Sequence, residues 1–250
     1  MSKFRFPEKT QVVFFTLLGT LCQTHPSVVT KFFQVLSSAG LNTTHAQVRE
    51  SFHKAESWIY LRKNAGWPLN DQEAARYKRI FYSSLGVKGE LADHYDQILF
   101  SSLEKSRFWT KNLKIAKETT PLLVNLSEHN VKCGLILNSD LRAAKILNQL
   151  GIREYFQEIF SPGSIGVSLP HPQILQVALS SFKLRASRCL LVGSRPQVEG
   201  EGAKAGNFPY VLLATGADDM FEQPKDSFKG YNVVESFFEL NSCFQKSLTK

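Results

Sequence analysis

The chain has 250 residues, 43% of them hydrophobic, and a formal net charge of +8, enough apolar content for a sizeable core in one α/β domain or in a core carrying a smaller insert. No run approaches the roughly 18 apolar residues of a membrane span, and no small-residue cleavage site follows an apolar stretch of signal length, so neither a membrane protein nor a secreted one is expected. Its 30 Lys and Arg residues are dispersed along the chain, which reads as solvated faces and argues against nucleic acid as a partner.

In chain order, residues 10–18 are β-branched, aromatic and apolar without Pro or Gly, as in a strand buried on both faces of a parallel sheet. Gly19 and Thr20 turn the chain. From Ser27 to about Ser106 the periodicity becomes helical, with one stripe through Val28, Phe32, Phe33 and Leu36 and a second through Val48, Phe52, Ala55, Trp58 and Ile59. Two more helices are predicted over 71–85 and 90–103, separated by Gly- and Pro-containing breaks. Beyond Trp109 the pattern alternates: helices over 118–129, 140–150, 172–182 and 199–205, strands over 132–137, 157–160, 188–193 and 209–213. Such alternation predicts βαβ units around a parallel sheet. The last segment reads as a loop, a short strand at 232–234 and a closing helix.

Cys22, Cys133, Cys189 and Cys243 show no CxxC pair and no His at ligand spacing. Neither a zinc site nor a disulfide framework is expected, and the thiols read as buried in a reducing intracellular compartment, the cytoplasm first, with a mitochondrial or nuclear address left open.

Four stretches stand out. Val12-Val-Phe-Phe-Thr-Leu-Leu-Gly-Thr20 is a strand running into a Gly-Thr turn. Val131-Lys-Cys-Gly-Leu-Ile-Leu-Asn138 is a strand ending in Asn. Gly166-Val-Ser-Leu-Pro-His-Pro-Gln-Ile-Leu175 opens a helix, and Cys189-Leu-Leu-Val-Gly-Ser194 is a strand followed at short range by Glu199. In this order and at these separations they resemble the four motifs of the haloacid dehalogenase (HAD) superfamily, and the resemblance covers nearly all of the chain beyond Gln11. It implies a Rossmann-like, doubly wound parallel sheet with an inserted four-helix cap: an α/β core over 1–23 and 112–250 and a cap over 24–111.

The resemblance also implies which groups are replaced. Thr16 and Leu18 stand where the family has its nucleophilic and acid–base Asp, Leu137 where it has Ser or Thr, Leu169 where it has Lys, and Ser194 where it has a metal-binding Asp. Thr20 and Asn138 are kept, and Glu199 falls near the second acid of the last motif. Covalent and acid–base phosphoryl chemistry of the family's kind needs carboxylates, and a hard cation needs oxygen ligands, preferably charged. A neutral set also spares the fold the several kcal/mol that an unpaired buried charge costs, of order 3–5 for a broken pair.

On these grounds a catalytically inactive protein is expected, acting as a protein-interaction or scaffold component with no cofactor and with the family's Mg²⁺ binding lost. A rewired phosphatase-like hydrolase using Thr16 or Glu199, and a small-ligand sensor binding between cap and core, are the alternatives. A collapsed cleft would suit the interaction subunit and an open one the sensor, while an enzyme would gather acids such as Glu199 and Asp140 near Thr16. Residual anion or ligand contacts are expected from Thr20, Asn138, Arg195, Glu199 and Lys204.

The Gly-rich stretch 199–206 has the spacing GxGxxxG and does not follow its strand directly, so close helix packing, with Asn207 in a left-handed turn, is expected over nucleotide binding. Trp58 and Trp109 read as core, Trp67 in its Gly-Pro turn as an exposed contact, and His171 as a turn cap.

Overall fold

A computed structural model describes residues 4–61, 70–138, 143–214, 221 and 223–248, with the side chains of residues 60 and 61 left aside. Its central element is β1 (Val12–Thr16), buried at all five positions. β-Branched and aromatic residues suit such a strand because both of its faces pack against other layers. Phe14 and Phe15 point to opposite faces, as the two-residue strand period requires. Phe14 meets the rings of Phe160, Phe182 and Phe208, whereas Phe15 meets Phe156 and Phe237. Each ring contributes about 1.5–3 kcal/mol by burial.

After β1 come the short strand β2 (Cys22–Thr24) and four helices: α1 (Val28–Ser38), α2 (His45–Leu61), α3 (Asp71–Ser84) and α4 (Glu90–Lys105). The short α5 (Phe108–Lys111) and β3 (Leu113–Ile115) return the chain to the core. Ser27 caps α1 by accepting from the Thr30 amide at 3.0 Å. Asn70 and Glu73 form a reciprocal capping box at the start of α3, which satisfies two amides that helix geometry leaves without partners. The four helices close on one another through apolar stripes. Phe32 of α1 makes edge contacts with Phe52 of α2 and Phe81 of α3.

The remainder alternates: α6 (Thr119–Glu128), β4 (Lys132–Ile136), α7 (Ala143–Gln149), β5 (Phe156–Phe160), α8 (Pro162–Ile165), α9 (Gln173–Phe182), β6 (Cys189–Gly193), α10 (Glu201–Ala205), β7 (Tyr210–Leu213), β8 (Val233–Val234) and α11 (Phe237–Leu248). Six strands form one sheet in the order β5-β4-β1-β6-β7-β8, and every neighbouring pair is parallel. The chain builds outward from β1 through β4 to β5, then restarts on the other side of β1 with β6. That reversal opens a crevice at the carboxyl ends of β1, β4 and β6, where ligands of open α/β sheets bind.

The parallel sheet and the four inserted helices agree with expectation. The antiparallel pair of β2 and β3, with Thr24 opposite Leu113, was not expected, because three-residue strands carry too little alternation to read. The helix expected over 199–205 begins differently: Pro196–Gly200 forms a π-helical turn and the α-helix starts only at Glu201. Asn207 is left-handed as expected, at φ 48°. No helix of the described residues is long and apolar enough to cross a membrane. All four cysteines are free, three of them buried and Cys243 half-buried. Burial pushes the thiols of Cys22 and Cys133 up to about 12 and that of Cys189 to about 11.

Candidate active site

The carboxyl ends of three adjacent strands form the floor of the crevice. Thr16 is the last residue of β1, Leu137 and Asn138 follow β4, and Ser194 follows β6. Thr16 and Thr20 are both buried, and their hydroxyls share a hydrogen bond of 2.7 Å. The turn between them depends on Gly19, whose φ is +82° and whose missing side chain leaves room for Ser194 and Phe221; a Cβ there would lie 2.8 Å from Ser194 Oγ and 2.9 Å from the Phe221 ring. Only glycine adopts that φ at no steric cost. The hydroxyl of Ser194 is buried with no hydrogen-bond partner among the described residues, as is Asn138 Oδ1.

Behind this floor lies a fully buried carboxylate. Glu199 sits in the π-helical turn with no exposed surface, so close to β6 that a Cβ on Gly193 would collide with it. Three donors hold it: Asn138 Nδ2 to Oε1 at 3.0 Å, the Arg195 amide to Oε2 at 2.7 Å, and Arg195 Nη2 to Oε1 at 3.3 Å. Charge-assisted hydrogen bonds of this kind fix both partners. The Arg195 guanidinium also lies 4.9 Å from the centroid of the Phe221 ring. Phe221 in turn stacks on Phe52 of α2 at 6.4 Å and 12°, which joins the floor to the helical layer above it.

Between floor and helices is an open cavity of about 630 Å³, to which Thr16, Leu18, Leu137, Asn138 and Arg195 all contribute. The helices supply its roof, chiefly through Phe32, Phe52, Phe81, Leu99 and Trp109. Charged and phenolic groups also reach it from α3 and α4. Lys78 contacts Asp93 at 2.6 Å and Asp96 at 4.0 Å, and its own ionisation is held up first by the hydrogen bond to Asp93. Burial raises the Asp96 carboxyl, against the pull of Lys78. Burial likewise raises the Tyr82 phenol, with the Asp96 charge adding to it.

The residues singled out from the sequence therefore divide. Thr16, Thr20, Asn138, Ser194, Arg195 and Glu199 converge at the strand ends. Leu18 and Leu137 line the cavity, while Leu169 is wholly buried in the core layer beside Gly202. Lys204 is a correction: it does not border the cavity but pairs with Glu201 at 3.1 Å and lies over the Tyr231 ring, because α10 turns that face to solvent. Trp109 borders the cavity while packing on Phe108, and Trp58 is half-buried with the Arg76 guanidinium 5.2 Å from its ring centroid. His171 accepts from the Gln173 amide at 3.2 Å, a turn contact. Asp140 and Trp67 lie outside the described residues. No sequence pattern pointed to Phe221, Lys78, Tyr82 or Asp96, whose place in the cavity depends on how the helices pack over the sheet.

A hard cation is bound through oxygen, and the strand ends present oxygens only: the hydroxyls of Thr16 and Ser194 and the amide oxygen of Asn138. Two of these are the buried, unpartnered atoms, so the donor set fits a divalent cation in kind. Among the described residues its carboxylate is Glu199, which is shared with Arg195 and Asn138. Among the described residues no group of three or more His, Cys, Asp or Glu could hold a metal ion.

A family model described as haloacid dehalogenase-like hydrolase matches residues 10–207. Among relatives, the glyceraldehyde 3-phosphate phosphatase of Methanothermobacter thermautotrophicus is 25% identical over 169 residues, 60% of this chain and 72% of that protein. Haloacid dehalogenase-like hydrolase domain-containing protein 3 of Mus musculus is 25% identical over 113 residues, 45% of each chain. Among solved structures, that of a predicted phosphoglycolate phosphatase from Haemophilus somnus superposes with a TM-score of 0.67 at 15% identity, over 95% of this chain and 99% of that one. The HAD hydrolase YfnB of Bacillus subtilis, in a form bound to magnesium, superposes with a TM-score of 0.66 at 11% identity, over 94% and 98%.

Two expectations are corrected by these findings. Relatives named as phosphatases overturn the reading of a catalytically inactive scaffold, and the open cavity removes its structural premise, since the leucines at the motif positions line the cleft or pack below it without filling it. The match to a hydrolase family model and relatives named as phosphatases, beside a neighbour of the same fold in a magnesium-bound form, overturn the expectation that no cofactor is used. Replacing Asp by Thr and Ser removes charge but leaves oxygen at the strand ends, and that is the physical reason the sequence misled.

Proposed function

As the chain belongs to the haloacid dehalogenase-like hydrolase family, we propose that it is a phosphatase-like hydrolase that takes a phosphomonoester into the cleft and cleaves it with a rearranged set of polar groups. One observation carries the reading: Thr16, Asn138 and Arg195 come together on the floor of an open cavity of about 630 Å³, a size suited to a small-molecule ligand.

Arg195 supplies the charge that attracts the phosphoryl group. A guanidinium presents N–H donors in a fixed planar fork that matches phosphate oxygens. Glu199 is a positioning residue: by holding the amide and guanidinium of Arg195 together with the Asn138 amide, it fixes the direction of both donors before substrate arrives, so that little reorganisation is needed during reaction. Ser194 and Asn138 offer further polar atoms at the same strand ends. A divalent cation held by Asn138, Ser194 and Thr16 would neutralise phosphoryl charge and polarise the ester.

With Thr16 in place of a carboxylate, water is the nucleophile. Its oxygen bonds to phosphorus as the ester P–O bond breaks, and the proton it loses passes to the departing alkoxide, so alcohol and inorganic phosphate result. The Thr16 hydroxyl, aimed by its hydrogen bond to Thr20, holds that water. No carboxylate at Thr16 or Leu18 takes the proton, so the 10²–10⁴-fold that a positioned general base contributes is missing and turnover is slow. The free thiols support a reducing, intracellular setting for the reaction.

Phosphate release from a panel of phosphomonoesters, with and without Mg²⁺, tests the reading. The unaltered protein should release phosphate, and Arg195→Gln should lower kcat/KM by about 10²–10³. A combined Thr16→Asp, Leu18→Asp, Leu169→Lys and Ser194→Asp variant serves as a reference for an acid-bearing cleft. Absence of release by the unaltered protein, beside an active or an inactive reference, overturns the reading.

A further inference from the structure

Among the described residues the core side of the cavity is polar at Thr16, Asn138 and Arg195, and these groups adjoin a space that is otherwise largely hydrocarbon. Leu18 and Leu137 extend the apolar lining onto the floor itself, and Phe32, Phe81, Leu99 and Trp109 continue it across the roof. A small polar phosphate bound at Arg195 would leave this surface uncovered. Burying it is favourable in proportion to the apolar area removed from water, a gain available only to a ligand with an apolar body.

A second, independent feature lies among the helices. Tyr82 is 1% exposed and borders the cavity, and its phenol faces the half-buried carboxyl of Asp96. Asp96, also on the cavity wall, is near enough for its charge to act on that phenol. A ligand bearing a hydrogen-bonding group at that end would find a phenol and a carboxyl side by side on the cavity wall.

Resting on the hydrolase reading, we propose that the substrate is a phosphomonoester with a bulky apolar, preferably aromatic, body and a hydrogen-bonding group at the end remote from the phosphate. The phosphate sits at Arg195, the body lies against Phe32, Phe81 and Trp109, and the remote group meets Tyr82 beside Asp96. Leu18 and Leu137 are thus specificity-determining: they replace polar lining with surface that selects for the body.

Calorimetric titration of the purified protein with phosphonates that cannot be hydrolysed, in Mg²⁺ buffer, tests this apart from catalysis. Naphthylmethylphosphonate should bind 10- to 100-fold more tightly than methylphosphonate, on the order expected for burying one ring system. Ala75→Trp, which places an indole at the cavity mouth from a solvent-exposed helix position, should reduce that ratio about 10-fold. A hydroxyl on the ring remote from the phosphonate should tighten binding further, and Tyr82→Phe should abolish the gain. Equal affinities for the two parent phosphonates, or a ratio insensitive to Ala75→Trp, overturn the proposal, and a ring hydroxyl without effect overturns its polar end. Tight naphthyl binding with no phosphate release from naphthyl phosphate would sustain the ligand class and sink the hydrolase reading. Release from small polar phosphates with no naphthyl preference would do the reverse.

Discussion

The floor and the roof of the cleft are built on different principles. On the floor, Thr16, Thr20, Asn138, Arg195 and Glu199 are each held by another polar group of the site. Thr16 is tied to Thr20, while Glu199 is clasped by Arg195 and Asn138 and fitted against Gly193. On the roof, aromatic side chains at helical spacing supply the surface, and Lys78, Asp93 and Asp96 interact along its partly solvated edge. The floor is fixed for one chemistry because moving Thr16, Glu199 or Arg195 strands another buried polar group. Roof residues can change one at a time, which suits the part of a site that selects the substrate body.

Stability measurements sharpen that contrast, and the largest effect belongs to the floor. Glu199→Ala removes a fully buried partner of Arg195 and should cost about 3–5 kcal/mol in denaturant unfolding, the penalty of breaking a buried pair. Loss below 1 kcal/mol would mean that the clasp is not a structural unit. Gly193→Ala drives a methyl into Glu199 and should cost about 2–3 kcal/mol, as overpacking does. Thr16→Val keeps the shape but leaves the buried Thr20 hydroxyl without its partner, a cost of about 1–2 kcal/mol; an unchanged midpoint would break the claim that the two hydroxyls are coupled.

The smallest effect, of opposite sign, belongs to the roof. The Asp96 carboxyl is raised above its ordinary value of 3.8, by burial first. An acid with a raised folded-state pKa binds protons more tightly when folded, so its contribution to stability falls as pH climbs from the ordinary value through the raised one. Asp96→Asn should therefore flatten that part of the stability profile and leave the protein slightly more stable than the unaltered chain at neutral pH. A profile that rises with pH over the same window in the unaltered protein, and is flattened by the variant, would show Asp96 to be stabilised by Lys78 and not penalised by burial.

The sequence by itself determined the layers. The apolar runs 12–16, 132–136 and 189–193, the helical stripes between 28 and 103, and the turn glycines specify buried strands and amphipathic helices wherever they occur, because side-chain periodicity is a local property of the backbone. The resemblance of the four motifs also grouped Thr16, Asn138 and Ser194 in advance, and the strand order then sets all three at the carboxyl ends of neighbouring parallel strands. Tertiary structure alone decided the rest. Whether three leucines at former polar positions fill a cleft or line it depends on how far the helices stand from the sheet, a distance set by Phe221 stacking on Phe52 and by the short β2–β3 pair. The capture of Arg195 by Glu199 depends on a π-helical turn that no local pattern announces. Both are contacts between segments far apart in the chain or turns shaped by their surroundings, and such interactions leave no period in the sequence.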